Sequence, residues 1–335
     1  MKLARLMLLP CVLCAVAMGL ALLMAVSAGV SGTGLLWDYI RVGVVFTLIS
    51  FLFWLLIPPI RGPNYRRLSP FQAASSFFRE KWLFALLPLL IFPVFMTGFT
   101  VAKTCFPFFT GYHWDGFWTD ADHLLFGRDP WRITHMLLGA QGSHYLSVVY
   151  TLVWGMALAF GLPLYACSAT PQEAVRAYTA MMATWLTAGV FGAILFSSVG
   201  PVFADLADPT LVERFAPLHE SLGRLLPADN PIISSQQYLR DAFGRAEVIR
   251  AGGVSAMPSM HLGVCTMLVI LSGKKLWRFP AMMLWLAIWI GSVHFGYHYA
   301  LDGIAGSAIA WLCWKATAPR PLSARADYPA VAIAA

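Results

Sequence analysis

The sequence predicts an all-α, polytopic membrane bundle of about eight transmembrane helices with a small helical outer cap. Three observations carry that prediction. Of 335 residues, 59% are hydrophobic and only 12% are charged, a balance outside that of soluble domains. Apolar runs recur near 6–28, 37–60, 82–103, 144–168, 177–198, 258–273, 280–297 and 298–315. At about 1.5 Å per residue each crosses a hydrocarbon core of about 30 Å or falls slightly short of it. Finally, the basic residues segregate. Lys2, Arg5, Arg61, Arg66, Arg67, Arg79, Lys81, Arg176, Lys274, Lys275, Arg278, Lys315, Arg320 and Arg325 all fall on one side if the spans alternate. The positive-inside rule then places both termini in the cytoplasm.

Taken in order, 1–103 holds the N-terminal transmembrane helices. A basic start and Ala25-Val-Ser-Ala28 also resemble a signal peptide with its cleavage site. The apolar stretch is long for one and favours a retained helix, and either way the second run begins outside. The 104–143 segment reads as interfacial. It opens with Phe106, Phe108, Phe109, Tyr112, Trp114, Phe117 and Trp118, then mixes charge with apolar residues through Asp120, Asp122, Arg128, Asp129 and Arg132. Such a belt either frames lipid access or simply anchors the chain. Residues 144–315 form the core, interrupted at 199–257 by the one long polar connection, which five prolines divide. It reads as an outer cap with short helices around 209–226 and 236–250. The shortest run, 258–273, sinks its own start below the interface. Gly303, Ala305, Gly306, Ser307, Ala308 and Ala310 point to close helix packing. Residues 316–335 read as a disordered cytoplasmic tail. The six cysteines lie in or beside apolar runs and suggest no disulfide framework. The net charge of +7 sits on the basic connections, where it sets orientation, so nucleic-acid binding need not be invoked.

Two pieces of chain carry chemistry: Gly252-Gly-Val-Ser-Ala-Met-Pro-Ser-Met-His261 and Gly296-Tyr-His298-Tyr-Ala-Leu-Asp302. Each sets a histidine at the start of an apolar helix. With Pro258 at the first helical position, the amides of Ser259, Met260 and His261 lack intrahelical acceptors and form an anion site at a positive helix end. His298 and Asp302, four apart, are expected on one helix face, where the carboxylate holds one ring nitrogen and leaves the other free. Ionisable groups inside membrane segments are functional candidates by default. Alternation places both histidines on the outer side.

These pieces resemble the second and third signature motifs of the type-2 phosphatidic acid phosphatase superfamily, usually P-S-G-H and S-R-x5-H-x3-D. The variant form is similar to the inositolphosphotransferase-like branch that includes inositol phosphorylceramide synthase, and Leu125-Phe-Gly-Arg-Asp-Pro-Trp131 extends the likeness toward the middle of the chain. The resemblance implies that His298 is the nucleophile toward phosphorus, that Asp302 fixes its tautomer and that His261 protonates the leaving oxygen. Ser259 and Met260 are expected to bind phosphate. Two departures stand out: Ser292 occupies the usual arginine position, and no K-x6-R-P precedes the second motif. Arg250 is the expected replacement base, with Arg245 and Arg240 behind it, because arginine donates to phosphate oxygens bidentately. His294 reads as a packing residue. His113, His123, His135, His144 and His219 lack metal-ligand spacing, so no metal and no cofactor is expected.

The implied activity is that of a lipid phosphatase or phosphotransferase at the outer leaflet of a bacterial inner membrane. Its substrate is a lipid phosphate or phospholipid. Water as second acceptor makes it a polyprenyl- or phosphatidyl-phosphate phosphatase, and an alcohol acceptor makes it a transferase of a phospho-inositol type of headgroup. A proton-coupled transporter is the alternative of another class, but no convincing internal repeat supports it, and histidines at helix starts suit an interfacial site better than one at the midplane.

Overall fold

A computed structural model describes residues 2–318 apart from 31–33, 63–64, 244, 246–247, 249–251 and 274–275. The expected tail, Lys274, Lys275 and Arg250 therefore lie wholly or largely outside the described residues. Among those described, the chain is all-helical, with no strand. Its principal helices are α1 (Lys2–Ala28), α2 (Leu35–Leu56), α3 (Pro70–Lys81), α4 (Phe92–Cys105), α5 (Asp115–Phe126), α6 (Pro130–Val148), α7 (Trp154–Ser168), α8 (Pro171–Leu186), α9 (Val212–Leu225), α10 (Pro231–Ala242), α11 (Met260–Ser272), α12 (Arg278–His294) and α13 (Ala300–Ala316).

Among the described residues, five helical stretches are long and apolar enough to cross a membrane: Leu6–Ala28, Leu35–Leu56, Leu87–Thr110, Pro130–Ser168 and Pro171–Leu195. The protein is thus an integral membrane protein. Where the other three spans are expected the chain forms shorter helices, α11 with 13 residues and α12 and α13 with 17 each. The fourth span begins earlier than its apolar run. Pro130 opens α6 at its first turn, and a wide π-type turn at Val149–Val153 joins α6 to α7. Gly139 (φ 56°) breaks α6 internally, so the charged end of the 104–143 segment is fused to a span.

The basic residues do local work at one end of the bundle. Arg61 is buried and donates to the carbonyls of Trp54, Leu55 and Leu68, so it caps the C-terminus of α2. Lys81 does the same for α7 through the carbonyls of Cys167 and Ala169. Arg176 donates to Trp314 O at the end of α13 and lies over the Trp314 ring. These contacts gather the ends of α2, α7 and α13 and the start of α8 at one end, as alternation requires.

At the other end, α9 and α10 form the cap. α10 starts earlier than expected because Asn230 accepts from Ile232 N–H and Pro231 occupies the first position; it ends at Ala242. Leu218, Leu222 and Ile232 bury the cap against Phe295 and Tyr299. Close packing of α13 is realised at Gly306, where a Cβ would overlap the Ser259 carbonyl. That contact holds α13 against the start of α11.

Candidate active site

α11 begins at Met260, and Ser259 is its N-cap, accepting from Leu262 N–H at 3.5 Å. Pro258 therefore precedes the helix instead of opening it. The Ser259 amide is not free, because it donates to Asp302 O at 3.0 Å. Of the three amides expected to face an anion, only those of Met260 and His261 lack an acceptor among the described residues.

His298 and Asp302 also differ from expectation in how they meet. α12 ends at His294, Gly296 takes a left-handed φ of 72°, and α13 starts only at Ala300. His298 thus lies in the turn before the helix, and Asp302 is the third residue of α13. Its carboxylate reaches back to the Tyr299 amide (2.9 Å) and to His298 Nδ1 (3.3 Å). A capping interaction, not a shared helix face, joins the pair.

The tautomer of His298 follows from its partners. Nδ1 lies 2.7 Å from Ala256 O, which can only accept, so Nδ1 carries the proton and Nε2 the lone pair. Nε2 is 3.3 Å from both Ser259 Oγ and His261 Nδ1. The backbone of His298 is fixed as well, its amide donating to Ser292 O at 3.1 Å. The residue at the usual arginine position thus supports the histidine through its carbonyl. His261 is held between aromatic rings, Tyr150 at 5.1 Å and Trp154 at 4.4 Å between centroids. Both rings come from the wide turn between α6 and α7 and the residue after it, which aims them at one place.

The two histidines line a cavity of about 420 Å³. Lys103, from the last turn of α4, lines it too, and no carboxylate pairs with it among the described residues. Gly253 explains the double glycine before the second motif: at φ +84° it lies against Lys103, and a Cβ there would come within 2.8 Å of the Lys103 carbonyl. Arg240 is committed to an ion pair with Asp205 at 2.7 Å, and Arg245 is exposed beside a neighbouring cavity. Neither lines the histidine cavity.

Sequence reasoning did not assign two further carboxylates that hold the site together. Asp115 accepts from the amides of Val199 (3.0 Å) and Gly200 (2.9 Å) and from Tyr299 Oη (2.9 Å). Asp122 accepts from the Ala300 amide at 2.7 Å. Burial pushes Asp115 up to about 6 and Asp122 up to about 7, each against the lowering pull of those amide donors. The aromatic segment containing them is therefore tied to the strand of chain that bears His298. His294 is fully buried between Thr134 and Ser143, and its carbonyl accepts from His135 Nε2. His135, on α6, bridges α12 and Ser221 of the cap.

No curated protein and no solved structure gives a match. Residues 121–316, more than half of the chain and including Asp122, Ser259, His261, His298 and Asp302, match the PAP2 superfamily, and the chain belongs to that phosphatase-type superfamily.

Proposed function

We propose that the protein is a lipid phosphatase or phosphotransferase that works through a phosphohistidine on His298. One observation carries this reading: His298 Nε2, unprotonated and backed by Nδ1–H donation, faces Ser259 and His261 at the wall of a cavity that also holds Lys103, which no carboxylate pairs with among the described residues. In the first step the Nε2 lone pair forms a bond to phosphorus, the P–O ester bond breaks and His261 gives a proton to the departing oxygen. Asp302 and Ala256 O stabilise the charge gained by the ring. In the second step an acceptor hydroxyl attacks phosphorus, the P–N bond breaks and His261 takes the acceptor's proton. The amides of Met260 and His261, Ser259 Oγ and Lys103 Nζ hold the phosphoryl oxygens. Lys103 serves as the phosphate-holding base among the described residues, and Arg250, expected for that role, lies outside them.

The likeness to the inositolphosphotransferase branch belongs to the same reading. It is supported by the motif variants and by a neighbouring cavity of about 330 Å³ under the cap, which shares Leu239, Gly253 and Val254 with the histidine cavity and offers room for a polar headgroup or acceptor. The test is incubation of purified protein with a radiolabelled phospholipid, with and without inositol or a ceramide-like alcohol. Free phosphate or a phosphomonoester indicates hydrolysis and a new labelled lipid indicates transfer; neither product from any donor overturns the reading.

His261→Ala is expected to spare phosphoenzyme formation from aryl phosphates relative to alkyl phosphates, because a good leaving group needs no proton. Rapid-quench measurement of both substrates checks this, and equal losses would remove His261 from the acid role. Sidedness gives a separate expectation: cap and histidines outside, tail inside, in a bacterial inner membrane. Ser235 hydrogen-bonds Tyr297, and Cys105 is buried. The reporter is therefore the exposed Asp229, as Asp229→Cys. It should react with a membrane-impermeant maleimide in intact cells, and Ser323→Cys only after permeabilisation. The opposite pattern would put the site in the cytoplasm.

A further inference from the structure

A second cavity, of about 240 Å³, lies between α2, α4, α7 and α8 and shares Tyr39, Met96, Leu158 and Trp185 with the histidine cavity. The two form one slot along α7. Tyr150, Thr151 and Trp154 line its catalytic end, Leu158 lies at the junction, and Ala159, Leu162 and Pro163 line the far end. Among the described residues no charged side chain lines the second cavity, whereas Lys103, His261 and His298 line the first. Its lining covers Tyr39–Thr47 on α2 and Gly155–Pro163 on α7, about 12 Å along each helix, which carries it from the catalytic end into a core about 30 Å thick.

Protein interiors are ordinarily close-packed, so an apolar void among four helices forfeits contacts unless something fills it. Gly155 lines this one without a side chain of its own. It sits inside α7, where glycine is unfavourable relative to alanine, and neither a turn nor a close approach requires it: a Cβ there would meet nothing within 4 Å. α2 and α4 lie outside the segment that matches the superfamily, so these walls are supplied by this chain's own N-terminal helices.

We infer that the second cavity is a chain-binding site, which takes a hydrocarbon chain of the same lipid phosphate whose phosphoester lies at His298. The inference rests on the proposed function for the identity of the headgroup. Moving a chain from bilayer to an apolar slot gains little, since lipid tails are as apolar as the walls. The slot therefore sets register: it fixes the depth of the phosphorus relative to Nε2, and misplacement by about 1 Å can cost about a hundredfold in rate.

The test uses the full chain in detergent micelles and compares dioleoyl with dihexanoyl phosphatidic acid in two filled-slot variants, Gly155→Leu and Ala159→Phe. Both are expected to lower kcat/KM for the long-chain substrate about tenfold or more while changing the short-chain value less than about twofold. Equal losses, or none, would overturn the inference. A phosphatidic acid with a diazirine at its chain end gives a readout independent of turnover. In His298→Ala protein its crosslinks should map to α2 and α7 and disappear when Gly155→Leu is added. Crosslinks confined to outward surfaces, or equal labelling of the slot by a diazirine phosphatidylcholine, would mean that only bulk lipid sits there. Should wild-type protein hydrolyse neither phosphatidic acid, phosphatidic acid is not its donor, and the crosslinks alone decide whether the slot holds a chain.

Discussion

His298→Ala is expected to abolish turnover, by on the order of 10⁴-fold or more, because in the proposed mechanism it removes the covalent route and not merely one contact to the transition state. The fold is expected to survive at a measurable cost. His298 is 4% exposed, so the truncation leaves Ala256 O and the Asp302 carboxylate without a ring N–H. Stranding such acceptors costs about 1–3 kcal/mol. The turn geometry makes His298 a buried bridge between Ala256 and Asp302. Size-exclusion behaviour and a thermal melt of the variant separate the two effects. Wild-type activity in well-folded His298→Ala protein would remove the phosphohistidine. A variant that fails to fold calls for His298→Gln, whose amide N–H can still donate toward Ala256 O.

What was legible in the sequence is what is local. Pro258-Ser259-Met260-His261 and His298-Tyr299-Ala300-Leu301-Asp302 each pack their chemistry into a few residues, and the match over 121–316 places both within the superfamily. The helical class was equally legible, since apolar runs of membrane length leave few alternatives. The finer geometry was not. Whether His298 lies on α13 or before it depends on Gly296 and on Asp302 reaching back to the Tyr299 amide, a capping choice that spacing alone does not distinguish from an i, i+4 pair. Asp115 and Asp122 read as part of a charged interfacial stretch. Their partners, Val199, Gly200, Tyr299 and Ala300, lie about 80 to 180 residues further on. Lys103 had a signal that went unused: a lysine closing an otherwise apolar run is a functional candidate on cost alone. Arg250 stands closer to the second motif in sequence, whereas α4 brings the lysine to the cavity from elsewhere in the chain.

Lys103→Met is the second variant expected to have a large effect, and its two readouts should move in opposite directions. Methionine keeps an unbranched stem of similar reach, so the packing of Gly253 on the α4 backbone persists while the charge is lost. A donor aimed at phosphoryl oxygens in a secluded site contributes most as charge develops in the transition state, and removal of one such donor costs about 10²–10³ in rate. An amine that no carboxylate compensates among the described residues is by contrast a burden to the empty protein, since desolvating it is unfavourable whether or not substrate is present. Lys103→Met is therefore expected to lower kcat/KM about 10²–10³-fold while leaving the melting temperature unchanged or raised. Lys103→Arg should recover part of the rate, since a guanidinium also donates to phosphate but with a different reach. Loss of both activity and stability would make the lysine structural. Full activity in a stable Lys103→Met protein would return the phosphate charge to a base outside the described residues, with Arg250 the first to be replaced.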